Sequence, residues 1–218
     1  MPFKKHSVLL FFLLVLFLIN YCWAQTPPTL TATLELNESY YCPLSQVLIV
    51  TDFSITNQDS TEINTIYIQI SSGYVKGEDT LSYIGSNSNI TALAFNIVEG
   101  KLTLKWVGSV NTVLSELITA VKQVVFESNS INVSENRTFS ITIGEANYLP
   151  STGHYYEYVE APGITWSEAR DAAAALPPYY GLQGYLATIG STEEAQLSGE
   201  QAAGAGWIGG SDAETESV

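Results

Sequence analysis

The sequence predicts a mainly β protein, a β-sandwich followed by a smaller α+β unit. Three observations carry that expectation. Over roughly residues 28–147, short apolar runs alternate with turn residues, as a sandwich of short strands requires. Thirteen Tyr and 16 Gly, with frequent Thr and Ser, suit strands and turns more than long helices. Past residue 150 the pattern changes to a strand, a capped helix and a glycine-rich stretch. With 46% hydrophobic and 14% charged residues, the chain can bury a core and is not disordered by composition.

The chain opens with a leader. Lys4 and Lys5 form a basic start, Val8 to Ile19 is apolar, and Tyr21-Cys22-Trp23-Ala24 precedes Gln25. This is the order of a secretory signal, with cleavage expected after Ala24, so residues 1–24 are read as a signal peptide. The apolar run falls short of the ~20 residues a membrane-spanning helix needs, and no later stretch is long enough either. The mature protein is expected to be secreted or held at the cell surface, without a transmembrane span.

The first module is placed at 25–147. Val47 to Val50 and Ile66 to Ile70 are compact apolar strand candidates. Leu102, Leu104 and Trp106 share one face, with Thr103 and Lys105 on the other. Phe139, Ile141 and Ile143 alternate with Thr138, Ser140 and Thr142, which predicts a strand with one buried and one wet face. Val113, Leu114, Leu117, Ile118 and Val121 follow helical spacing and predict a short crossover helix before the Val124-Val125-Phe126 strand. Cys42, the one cysteine past the leader, is expected to be a small buried hydrophobe; a disulfide to another chain is the alternative.

The residues Ile49-Val50-Thr51-Asp52, Ile68 to Gly73, Gly77-Glu78-Asp79-Thr80-Leu81, Gly100 to Leu104 and Arg137 to Ile143 give this module a resemblance to bacterial cadherin-like repeats. The resemblance implies a β-sandwich spacer or adhesion module, stiffened by calcium in some members. Asp52, Asp59, Glu78 and Asp79 are the acids near predicted strand ends. They are either turn and solubilising residues or oxygen ligands for calcium. The calcium alternative rests on the family and on the net charge, since no EF-hand loop or dense ligand motif is visible.

A linker is expected at 148–153 and a second module at 154–218. His154 to Val159 alternates as an aromatic strand. Thr165 and Glu168 form a Thr-x-x-Glu capping box opening a helix from about Trp166 to Leu176. Ala169, Ala172, Ala173 and Leu176 mark its expected buried stripe, and Pro177-Pro178 ends it. Gly181 to Ile189 reads as a strand with glycine entry, Ser191 to Leu197 as a second helix, and Trp207-Ile208-Gly209 as a further strand.

Tyr155-Tyr156, Thr165-Trp166-x-x-Ala169, Gly184-x-Leu186-Ala187-Thr188-Ile189, Glu193-Glu194 and Trp207-Ile208-Gly209 together resemble the first half of a C-type lectin-like domain. The resemblance implies a carbohydrate-binding or protein-binding α+β domain, incomplete at its C-terminus. The family's calcium and sugar ligands lie in a long loop and a later strand, beyond Val218, and its usual disulfide cysteines are missing here. On that basis residues 151–218 alone are expected to be only marginally folded. The combination of modules resembles exported multi-domain proteins of the Bacteroidetes type.

Charge narrows the function classes. The formal net charge is −14, and removing Lys4 and Lys5 leaves six cations against 22 acids, a balance of −16. Such a surface repels nucleic-acid phosphates and anionic membranes. The six cations are scattered singly, so nucleic acid is excluded as a partner. His154 and Cys42 have no catalytic partner nearby in sequence, no zinc-ligand spacing occurs, and no carboxylate pair stands out. The sequence is therefore read as non-enzymatic. The expected function is extracellular binding or adhesion, with a cell-surface or environmental polysaccharide as partner. The alternative is a structural adhesion or matrix protein with protein–protein contacts and no sugar binding.

Overall fold

The computed structural model describes residues 28–34, 41–56, 62–108, 113–131 and 136–210. The leader expected at 1–24 lies outside the described residues. No helix among the described residues is long and apolar enough to cross a membrane.

The described chain is mainly β. Strands β1 (Thr29–Thr33), β2 (Val47–Leu48), β3 (Asp52–Thr56), β4 (Thr65–Ser72), β5 (Asp79–Tyr83), β6 (Ile90–Ala92) and β7 (Lys101–Trp106) come first. Helix α1 (Val113–Val121) follows, then β8 (Val124–Ser128) and β9 (Thr138–Thr142). Beyond them lie β10 (Asn147–Leu149), β11 (His154–Tyr156), α2 (Trp166–Ala175) and α3 (Thr192–Ala195), which runs on into a π-helical turn, Gln196–Glu200.

Two sheets make the sandwich: four strands in the order β6-β7-β4-β9 and three in the order β2-β8-β5. β1 and β3 pair as a separate antiparallel ribbon. β4 is central in its sheet because its alternation matches both neighbours: Ile68 stands opposite Leu102 on one side and Ile141 on the other. Ile66, Ile68 and Ile70 are fully buried and meet Leu81, Val124 and Phe126 of the facing sheet. Phe126 also packs edge-on against Phe139 with ring centroids 5.4 Å apart. Helix α1 buries Leu117, Ala120 and Val121 against this core, as its spacing predicts. Its Glu116 accepts hydrogen bonds from the Trp106 indole and the Asn87 and Asn89 amides.

Several expectations change. Cys42 is exposed, on a turn where Ser45 bonds its backbone at both ends. The face of β9 expected to be wet is partly covered, since Ser140 is buried, and on β4 Gln69 and Ser71 are buried behind the apolar face. The cover is the second unit. Segment 148–153, expected as a linker, supplies Tyr148 and Leu149 to β10, which pairs with β11 and lies against β4 and β9.

In the second unit, α2 begins as predicted, with Thr165 and Glu168 in a reciprocal capping box. Its alanine stripe is not buried, and no residue of the helix is. Gly181 to Ile189 and Trp207 to Gly209 form no strand. A strand needs a partner ladder, and among the described residues neither stretch has one beyond the single bridge between Tyr179 and Leu182. The unit's buried cluster is correspondingly small: Leu149, Tyr156 and Leu197, with Ala187 against them.

Candidate functional site

Of the acids singled out in the sequence, the described residues include Asp52, Glu78 and Asp79. Asp52 is exposed on β3, 3.5 Å from the Lys122 ammonium. Glu78 lies in the turn before β5. Asp79 is 1% exposed, and its carboxylate accepts from Arg137 at 2.6 Å and from the Val75 amide at 2.8 Å. Asp59 is outside the described residues. Calcium needs six to eight converging oxygens, and the Asp79 carboxylate is already engaged by Arg137 and the Val75 amide. Among the described residues no group of three or more His, Cys, Asp or Glu could hold a metal ion. The strand period held the clue: Asp79 and Leu81 share the inward face of β5, where a carboxylate needs a buried cation.

A gap of about 360 Å³ between the β1–β3 ribbon and β9 has a mixed lining that includes Leu30, Thr33, Phe53, Arg137, Thr138 and Phe139. Arg137 at its edge is the residue already bonded to Asp79.

The joint between sandwich and second unit is built from two glutamines and four tyrosines. The Gln196 side chain accepts from the Gly73 amide at 3.0 Å and donates to the Tyr74 carbonyl at 2.7 Å, standing in for a peptide group. Gln201, 1% exposed, donates to the carbonyls of Ile70 and Glu99. Both glutamines come from the π-helical turn or its last cap, so one turn of backbone aims two amides at the end of β4.

The tyrosines lie beside this clamp. Tyr148 and Tyr155 face each other across β10 and β11, ring centroids 4.7 Å apart. Tyr155 touches Tyr179 at 5.1 Å, and Tyr179 meets Tyr180 edge-on at 4.6 Å. Burial raises the Tyr155, Tyr179 and Tyr180 hydroxyls above their ordinary pKa.

Tyr180 and Gly181 are the centre of a tight turn in which Tyr179 and Leu182 exchange two 2.9 Å backbone bonds. Both central residues have positive φ, 49° and 82°, as a type I′ turn requires. Glycine takes this backbone freely, whereas a left-handed tyrosine costs roughly 1–2 kcal/mol. The strained side chain is also 45% exposed. The sequence signal for this pair is Pro-Pro followed by Tyr-Tyr-Gly, a turn whose glycine opens the stretch expected as a strand.

Deeper in the unit, Glu194 is buried and accepts from the Tyr156 hydroxyl and the Gly190 amide, each at 2.6 Å. These bonds hold its carboxyl below the usual carboxylate range. Burial, with the Glu194 bond, pushes Tyr156 up to about 12. The pair ties β11 to α3. At the far side, the Trp166 indole donates to the Ile208 carbonyl and the Trp207 indole to the Ile164 carbonyl, leaving Trp207 52% exposed.

No family model matches the chain. No solved structure matches it. It is similar to halomucin of Haloquadratum walsbyi (strain DSM 16790 / HBSQ001), 35% identical over 172 residues. That alignment takes in 75% of this chain and 2% of halomucin, so the chain spans a small fraction of the curated relative it matches.

Proposed function

We propose that the chain is an exported, non-enzymatic binding or adhesion protein. In this reading the second unit recognises carbohydrate and the sandwich serves as its spacer. The observation that carries it is the surface of the second unit, where Tyr180, Tyr185 and Trp207 stay exposed while backbone bonds close the turn under Tyr180 and the Trp207 indole is held by the Ile164 carbonyl. Exposed aromatic rings on a fixed scaffold suit ligand contact, because they offer apolar area at little entropic cost. The lectin-like residue pattern and the acidic, cation-poor surface support the same reading.

The test is retention of the full chain on a panel of immobilised polysaccharides. Retention displaced by the free glycan is expected. Absence of retention on every polysaccharide, with retention on a protein matrix, would favour the alternative of a matrix protein with no sugar binding.

A further inference from the structure

We propose that Tyr180, braced by Tyr155 and Tyr179, is a stacking platform for a neutral sugar residue of a polysaccharide. This rests on the binding reading above and gives it a location at the joint. The first argument is conformational. A bulky residue with positive φ is an outlier that persists only where the surroundings impose it, and such outliers cluster at ligand contacts. Asparagine or glycine at position 180 would make the same turn without strain. The strain does not serve burial, because the ring remains 45% exposed.

The second argument is geometric. Tyr179 stands edge-on to Tyr180 at 77°, and Tyr155 lies 6.3 Å from it. Neighbours on these sides limit the ring's rotation. A held ring loses little freedom when a ligand covers it. The apolar C–H face of a pyranose packs on such a ring, and phenol hydroxyls can bond the sugar's hydroxyls.

The third argument is electrostatic and selects the class of glycan. Glu157 acts on Tyr179, and Glu145 acts on Tyr67, which in turn acts on Tyr180. The Lys101 ammonium is engaged by the Glu145 carbonyl and the Glu99 carboxylate. A chain of formal net charge −14 repels uronate or sulfate groups, which sets neutral sugars above anionic ones as ligand.

The experiment is affinity electrophoresis of the full chain through gels holding hydroxyethylcellulose, galactomannan or mannan, with carboxymethylcellulose as the anionic counterpart. At least one neutral polysaccharide should retard the wild type, and the anionic one should retard it less. Tyr180→Gly relieves the strained turn, so the melting temperature should hold while affinity falls by about tenfold, the loss of one stacked ring. Val107→Ala, at an exposed position just past β7 and away from the joint, should bind as wild type. Wild-type binding by Tyr180→Gly, or stronger retardation in carboxymethylcellulose, overturns the location while leaving carbohydrate binding in place. A wild type retarded by none of the gels overturns the binding reading and this inference together.

Discussion

Asp79 and Arg137 show how one buried charge constrains a sandwich. Asp79 is the buried first residue of β5, its carboxylate bonded twice by the guanidinium, at 2.6 and 3.4 Å. Arg137 stands at the entry to β9 in the facing sheet, so the pair ties the sheets together at one end. Removing the arginine leaves a carboxylate in an apolar interior with a backbone amide for company. Arg137→Ala should therefore cost about 3–5 kcal/mol, the usual penalty of breaking a buried pair from one side. Urea unfolding followed by tyrosine and tryptophan fluorescence measures it. A loss under 1 kcal/mol would mean that water reaches Asp79. The same residue marks a limit of sequence reading. The acid was visible and so was its strand, but its partner is 58 residues away in sequence and carried no mark of the pairing.

At the scale of elements, α2 is the least supported. No residue of it is buried, and apart from the Trp166 and Gln183 contacts it depends on its cap. Thr165→Ala removes the acceptor for the Glu168 amide and should cost about 1 kcal/mol of helix stability. Because the helix is weakly coupled to the core, the loss should appear as faster amide exchange across Trp166–Ala175 with little change in the global melting temperature. A shift in the global transition instead would show the helix to be part of the cooperative core. The capping box was legible because it is a local rule. The strands β4, β7 and β9 were legible because their apolar residues repeat at every second position, although Gln69, Ser71 and Ser140 on the polar faces are buried too. Gly181 to Ile189 misled because apolar residues between glycines look alike whether or not a partner strand lies alongside. The glutamine clamp was illegible for a different reason: glutamine is usually a surface residue, and only the fold shows that Gln201 is buried against β4.

For the whole molecule, that clamp decides whether sandwich and second unit unfold separately. Gln196 and Gln201 make four hydrogen bonds to backbone groups of residues 70, 73, 74 and 99. Each buried bond is worth about 1 kcal/mol, and the groups left orphaned by its loss cost about 1–3 kcal/mol. The double variant Gln196→Ala, Gln201→Ala should split a single calorimetric transition into two, the second unit melting first because its buried cluster is so small. One unchanged transition would show that β10 and the tyrosines suffice to couple them.

The clamp also has a mechanical meaning. β9 ends at Thr142 and β10 begins at Asn147, so a short connection is the covalent tie between the two bodies. A tug on anything held by the second unit does not first draw out a slack tether. It is shared at once among the backbone groups that the glutamines grip and the β10–β11 ribbon lying on the sandwich. The grip thus acts as a rivet beside a short link, so that a load on the second unit would reach the sandwich as torque.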